Sequence, residues 1–231
     1  MEPVPDSFAR VLAVGAHPDD VDFFAGATLA ALAAGGARLH LVVCTDGRRG
    51  GRDPDEMAAR RREEQRAAAR ALGAEALTHL EHEDGKLEVS EALRLALVEA
   101  IRGLRPELVL GHDPRTFFRP ATRAELGHSD HRAAGTALLD AVYPRAVSPA
   151  FYPELALDPW YPRQLWLFDT AEPDLVVDAA GGWPAKEAAL RAHASQQAVA
   201  GGLVKAAREM GQRLAGAADA FGEGFVRLRL W

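Results

Sequence analysis

The chain has 231 residues, of which 48% are hydrophobic and 26% charged, and its formal net charge is −6. These values predict one globular domain over residues 1–231, and the acidic balance argues against a nucleic-acid partner, which usually requires a basic surplus. The single cysteine, Cys44, excludes an internal disulfide and fits a cytoplasmic protein, while the absence of a signal-like segment or of an apolar run near ~20 residues predicts no membrane association.

Segments typical of strands and helices alternate along the chain. Apolar runs predict strands at residues 11–16, 37–45, near 76–80, 107–111, 163–169 and 174–178, the last two paired with each other. Helical spacing and end signals predict helices at residues 22–35, 54–72, 90–104, from His128 to before Pro144, and a final one at 184–199. This alternation predicts a single-domain, Rossmann-like α/β fold with a mostly parallel sheet and helices on both faces.

Polar loops follow three of the predicted strands. "HPDD" follows the first, "TDGRRGG" the second and "GHDP" a later one. Ligands of such sheets bind beyond the carboxyl ends of the strands. The segment from Asp113 to Gly127 is also long for a compact domain, and such loops are more often functional. We therefore expect a site at this edge of the sheet.

The "HPDD" turn admits a structural and a metal-binding interpretation. A proline fixes a turn and an aspartate caps a helix, so the motif could be structural. A second cluster, "GHSDH", places His128 and His131 three residues apart on one helix face. This spacing suits metal binding, but a hydrogen-bonded pair of surface histidines would show it too. Together, His17, Asp20 and His131 offer three ligands, the number that catalytic zinc takes. Another divalent metal such as Fe²⁺ would accept the same donors.

Adjacent aspartates make chemical sense beside a cation. A bound metal lowers the pKa of water from ~15.7 to ~7, so a second, uncommitted carboxylate can accept the water's proton. Without a cation, two neighbouring carboxylates at a buried strand end would repel and raise the pKa of each other. The pair therefore predicts one ligand and one general base.

The ordered set of motifs resembles the LmbE/PIG-L family of zinc-dependent N-deacetylases. The resemblance covers most of the chain and rests on "AHPDD", "TDGRRG", "RREEQRAAARALG", "EDGKL", "LRPELVLGHDP", "HSDH" and "KEAALRAHASQ". Three positions depart from the family pattern: Asp22 stands where glutamate is commoner, Ala27 replaces a glycine, and Ser129 replaces a proline. These changes touch packing and loop shape more than metal chemistry.

The resemblance implies a role for each matching position. The zinc ligands would be His17, Asp20 and His131, and the general base would be Asp19. His128 would stabilise the oxyanion or protonate the leaving amine, and Asp130 would orient one of the histidines. The implied reaction removes an N-acetyl group from a small-molecule amino-sugar conjugate such as an N-acetylglucosamine derivative.

Substrate contacts are harder to predict from the sequence. Loop arginines could bind an anionic group or be solvated: Arg48, Arg49, Arg52, Arg115 and Arg119. His112, Asp113 and His193 are further candidates, with backbone hydrogen bonding, packing or capping as the alternative. The charged run at residues 59–70 is interpreted as a solvated helix face.

Other functions make different demands on the sequence. A nucleotide-dependent oxidoreductase should carry G-x-G-x-x-G in the first turn, which here reads "GAHPDDVDFFAG". A metal-dependent phosphoesterase could use the same ligand types, often with a second metal. A non-catalytic sugar- or metal-binding domain would tolerate the loss of Asp19. The sequence leaves these two alternatives open. It also leaves open whether the protein forms a homo-oligomer.

Overall fold

An eight-stranded sheet runs through the centre of the computed structural model, which describes residues 1–5, 8–119, 125–197 and 202–230. Its strands are β1 (Glu2–Pro3), β2 (Arg10–Gly15), β3 (Arg38–Thr45), β4 (Ala76–His82), β5 (Leu108–His112), β8 (Gln164–Phe168), β9 (Leu175–Asp178) and β10 (Gly222–Arg229). They lie in the order β1-β9-β10-β8-β5-β2-β3-β4. The strands β6 (Phe118–Arg119) and β7 (Glu125–Leu126) form a separate antiparallel pair.

Six α-helices lie within the described ranges: α1 (Asp20–Ala34), α2 (Pro54–Ala71), α3 (Glu91–Leu104), α4 (Ser129–Asp140), α5 (Trp183–Ala192) and α6 (Leu203–Ala215). Short helical turns accompany them, including residues Arg48–Gly50 and Ala194–Gln196. Over these same ranges, no helix combines the length and the apolar character needed to cross a membrane.

The predicted α/β architecture is confirmed, because five neighbouring strands, from β4 to β8 in sheet order, all pair in parallel. Alternate side chains of β2 face opposite sides of the sheet. Val11 and Ala13 pack in the core beneath α1, α2 and α5, whereas Leu12 and Val14 pack beneath α3 and α4. Burial on both faces explains why the strand has an unbroken apolar sequence.

The C-terminal third differs from the sequence-based expectation. The strands predicted as neighbours, β8 and β9, are separated by β10, which is antiparallel to both. The predicted final helix ends at Ala192, and its last predicted residues, 198–199, lie outside the described ranges. β10 was not predicted, because its pairing with strands about 50 residues away leaves no local pattern in the sequence. α6 was not predicted either, although its sequence is amphipathic.

A buried ion pair fixes α1 against the sheet. Glu223 of β10 accepts hydrogen bonds from the backbone N–H groups of Ala27 and Thr28 at 3.0 and 2.7 Å. Lys186 of α5 donates to Glu223 at 2.6 Å and to the carbonyl oxygen of Phe23. Neither charged side chain is exposed to solvent. The N-terminal half of α1 is therefore held by contacts from two distant parts of the chain.

We expect Lys186→Met to lower the free energy of unfolding by about 3–5 kcal/mol, because the substitution leaves the Glu223 carboxylate buried and unpaired. Urea unfolding measures this change. The matched control is Arg38→Met, which breaks an ion pair with Glu75 on the protein surface and should change stability little. Equal effects of the two substitutions would contradict the prediction.

Candidate metal centre and active site

Polar side chains from distant parts of the chain meet at the carboxyl edge of the parallel strands. The turn from His17 to Asp20 leads from β2 into α1, and His112 ends β5. Asp169 directly follows β8. His128 caps α4 by accepting a hydrogen bond from the backbone N–H of Asp130 at 3.1 Å, and this places His131 in the first turn of that helix.

Three of these side chains form a compact donor triangle. The Nδ1 atom of His17 lies 3.2 Å from Nε2 of His131 and 3.4 Å from Oδ2 of Asp20. The other oxygen of Asp20, Oδ1, lies 3.3 Å from Nε2 of His131. Tetrahedral zinc with bonds of about 2.0–2.2 Å requires ligand atoms about 3.3–3.5 Å apart. The donor set therefore fits a divalent metal ion.

Carboxylates lie behind both histidines, on the side away from the triangle. Nε2 of His17 lies 3.2 Å from Oδ2 of Asp130, and Nδ1 of His131 lies 2.7 Å from Oδ2 of Asp169. Metal-binding histidines almost always direct their second nitrogen toward such a partner, which orients the ring and increases its basicity. The arrangement thus has the supporting contacts that a metal site needs.

The electrostatics of the cluster call for a cation. Burial opposes charge on His17, yet Asp20, Asp130 and Asp84 together raise the pKa of its imidazole well above the ordinary value. Burial lowers the pKa of His131 to about 4, so this imidazole is neutral at pH 7 and free to bind a metal.

Asp19, the aspartate of the turn that is outside the donor triangle, lies in a different environment. Asp19 has φ 100° and ψ −24°, an unusual left-handed conformation for a residue with a side chain. Its carboxylate accepts a hydrogen bond from Arg61 at 3.2 Å. Burial raises its pKa to about 6; the positive charge of Arg61 opposes this shift, and the negative charge of Asp20 adds to it. The carboxyl group therefore titrates near neutrality, as a proton acceptor should.

The helix α2 holds this turn, which corrects an expectation from the sequence. The run at residues 59–70 was predicted to be solvated, but Arg61, Glu64 and Gln65 are buried. Arg61 donates hydrogen bonds to the carbonyl oxygens of Pro18 and Gly47. Arg61 and Gln65 lie four residues apart on one helix face and contact the turn, whereas Glu64 bonds to Ser195. Ala68 and Ala69 are also buried, and the exposed charged residues of the run are Arg60, Glu63, Arg66 and Arg70.

Comparison with known proteins places this site in a family. Residues 12–142 match the family model described as PIG-L, GlcNAc-PI de-N-acetylase, and this range includes both histidine clusters. The chain belongs to the PIG-L family. The resemblance found in the sequence motifs is thereby confirmed.

Two curated relatives of this PIG-L protein are deacetylases. The diacetylchitobiose deacetylase of Thermococcus kodakarensis is 31% identical over 193 residues, which cover 81% of this chain and 70% of that protein. The 1D-myo-inositol 2-acetamido-2-deoxy-alpha-D-glucopyranoside deacetylase 2 of Saccharopolyspora erythraea is 32% identical over 184 residues, 67% of this chain and 63% of that protein.

The solved structures include a PIG-L relative that matches over almost the whole chain. The structure of N,N′-diacetylchitobiose deacetylase from Pyrococcus horikoshii superposes with a TM-score of 0.85 at 27% identity, covering 96% of this chain and 85% of that one. The likeness therefore extends well beyond residues 12–142, which the family model matches.

Several residues predicted to contact substrate are engaged inside this PIG-L domain. His112 is fully buried, stacks on His131 at 4.0 Å and lies 3.1 Å from Oδ2 of Asp20. His193 is equally buried. Asp113 forms a bidentate ion pair with Arg115 at 2.8 and 2.9 Å. The burial of His112 and His193 makes them supporting groups, whereas Asp113 and Arg115 line a surface pocket together with Thr116 and Thr170.

The arginines of the loop after β3 are mostly neutralised. Arg48 pairs with Asp46 at 2.6 Å, and Arg49 bonds to Glu83 through its side chain and to Asp84 through its backbone N–H. Arg52 is exposed, and the side chain of Arg119 lies outside the described part of the chain. Asp46 is a local partner of Arg48, whereas Glu83 and Asp84 follow β4, and the pairing of β3 with β4 brings them to Arg49.

Sequence reasoning assigned no role to four residues that contact the cluster: Arg61, Gln65, Asp84 and Asp169. Asp84 lies 3.2 Å from Nε2 of His17, and Asp169 contacts His131. Both aspartates follow strands that end at the same edge as "HPDD", and this position was the available signal. Gln65 had no such signal, since its burial depends on how α2 packs.

The pair of His193 and Asp22 predicts a pH-dependent stability. Burial opposes charge on His193, but Asp22, at 2.9 Å from Nε2, raises the net pKa above the ordinary value. The stabilisation is complete below the unfolded pKa of about 6.5 and is lost as the pH rises through the folded value. We expect the difference in unfolding free energy between wild type and His193→Gln to shrink as the pH increases.

The control is His40, whose pKa is lowered by burial. For His40→Gln, the difference from wild type should change with pH in the opposite direction. Urea unfolding of all three proteins across the pH range, under identical metal conditions, measures both slopes. Slopes of the same sign would contradict the assignment.

Proposed function

We propose that this chain hydrolyses the N-acetyl group of an N-acetylglucosamine-type conjugate, releasing acetate and a free amine. The observation that carries this proposal is the donor triangle of His17, Asp20 and His131 inside a PIG-L domain. Asp19 is adjacent to Asp20 in the same turn, and its carboxylate contacts Arg61 instead of the triangle. The names of the relatives, deacetylases of amino sugars, support the substrate class.

In this proposal His17, Asp20 and His131 hold the metal. Zinc is the first candidate, and Fe²⁺ would accept the same nitrogen and oxygen donors. When bound, the ion supplies a Lewis acid that polarises the acyl carbonyl and makes a water molecule more acidic. Asp130 and Asp169 orient the two imidazoles from behind.

Asp19 acts as the proton carrier. Its carboxylate accepts a proton as water attacks the carbonyl carbon, and the pKa of about 6 makes it ionised and ready near neutral pH. The C–N bond then breaks as the nitrogen receives a proton. Asp19, now protonated, is the group that returns this proton, so the same proton passes from water to the leaving amine.

His128 stabilises the oxyanion. Burial lowers the pKa of His128, and the charge of His17 lowers it further. The neutral form of this imidazole therefore dominates near pH 7. Because Nδ1 accepts the backbone N–H of Asp130, the neutral ring carries its proton on Nε2. A nitrogen of His128 lies within 4.8 Å of a nitrogen of His17 and of a nitrogen of His131, so the ring borders the donor triangle. A neutral N–H donor there suits a developing negative charge better than an acid role.

A screen for released acetate tests the function. The substrates are N-acetylglucosamine, N,N′-diacetylchitobiose and N-acetylglucosaminyl-inositol, with p-nitrophenyl phosphate as the test for a phosphoesterase. We expect acetate release that stops on chelation and returns when Zn²⁺ or Fe²⁺ is added. Turnover that survives complete metal removal would refute the proposal, and so would turnover of the phosphate ester alone.

Substitutions separate the base from the ligands. Asp19→Asn should lower turnover by about 10²–10⁴-fold while metal binding persists, because only proton transfer is lost. His17→Ala should lose metal and turnover together. Metal content and the rate of acetate release measure both effects. Near-normal turnover in Asp19→Asn would show that another group is the base, and a non-catalytic binding domain would show no turnover to lose.

A further inference from the structure

We propose that Gln65 is a positioning residue that holds Asp19 in its left-handed backbone conformation, through a buried relay that ends at His193. The inference rests on the proposed function, in which Asp19 carries the proton. Left-handed backbone costs energy for a residue with a side chain and persists only where neighbouring groups hold it. Asp19 shows this conformation, with φ 100°.

Gln65 makes two hydrogen bonds that fix its amide in one orientation. Its Oε1 accepts the backbone N–H of Asp19 at 2.8 Å, and its Nε2 donates to Oδ2 of Asp22 at 2.9 Å. The residue is only 1% exposed. A carboxylate could accept from Asp19 but not donate to Asp22, and an apolar side chain could do neither. An amide satisfies both partners at once.

Asp22 sets the direction of this relay. It is fully buried, and the same oxygen that receives Gln65 also lies 2.9 Å from Nε2 of His193. His193 follows the end of α5, Asp22 lies in the first turn of α1, and Gln65 lies on α2. Residues from three elements therefore form one hydrogen-bonded chain, which ends at the backbone N–H of Asp19, the proposed base.

The relay explains how adjacent aspartates take different tasks. Asp20 directs one oxygen to the backbone N–H of His17 at 2.6 Å and contacts the histidines, while Asp19 turns toward Arg61. If Asp19 relaxed to an ordinary φ, its carboxylate would leave this position, while the metal donors would remain in place. Loss of Gln65 should therefore reduce turnover without reducing metal affinity.

The test is a donor–acceptor swap. Gln65→Glu keeps the acceptor for Asp19 but places a second carboxylate against Asp22. In Asp22→Asn with Gln65→Glu, the amide of residue 22 donates one hydrogen bond to Glu at 65 and one to Nε2 of neutral His193. Both bonds of residue 22 then run in the opposite direction, while the acceptor for the Asp19 N–H is kept. We expect the single variant to lower kcat by about 10–100-fold with KM and metal affinity unchanged, and the double variant to recover most of this loss. The substrate is N,N′-diacetylchitobiose.

A second readout does not depend on turnover. Crystal structures should show φ of Asp19 leaving the left-handed region in Gln65→Glu and returning to it in the double variant. The matched control is Glu64→Gln, a buried position on the same helix that bonds to Ser195 and not to the "HPDD" turn. It should leave kcat and the conformation of Asp19 unchanged.

The remaining outcomes separate the two proposals. Unchanged kcat and an unchanged Asp19 in Gln65→Glu, with turnover lost in Asp19→Asn, would overturn the role of Gln65 alone. Loss of metal binding in Gln65→Glu without recovery in the double variant would show a merely structural residue and overturn it too. Normal turnover in Asp19→Asn would overturn the proposed function together with this inference.

Discussion

The site depends on one constraint, namely that parallel strands end at a common edge of the sheet. β5 lies between β2 and β8, and all three strands end at this edge, so the segments that follow them lie close together. Helix α4 begins at the same edge and brings His131 to within 3.2 Å of His17, from which it is 114 positions distant in the chain. The charge density of "HPDD" would be costly at a buried strand end. It becomes useful because another strand and another helix complete a cation site around it.

Charge compensation governs the surroundings of this edge. Carboxylates from four connections face inward, and each one meets a histidine or an arginine. Two arginines of the loop after β3, Arg48 and Arg49, are paired with carboxylates in the same way.

The N-terminal half of α1 and the turn before it are held from several directions. This part of the chain carries both a proposed metal ligand, Asp20, and the proposed base, Asp19. The buried pair of Lys186 and Glu223 fixes its backbone from the sheet side. Arg61 and Gln65 hold the preceding turn from α2. Rigid support of this kind keeps a reacting group close to its working geometry. The support comes from parts of the chain that carry no chemistry themselves.

The sequence by itself determined the alternation of strands and helices, the two histidine clusters and the family, because these depend on local periodicity and on residue types in a fixed order. It could not determine that β10 lies between β8 and β9, that Asp169 backs His131, or that Gln65 is buried against Asp19. Those outcomes depend on strand order and on which helix face meets the sheet edge. Both are decided by the packing of segments that are distant in the chain, and such packing leaves no local pattern to read.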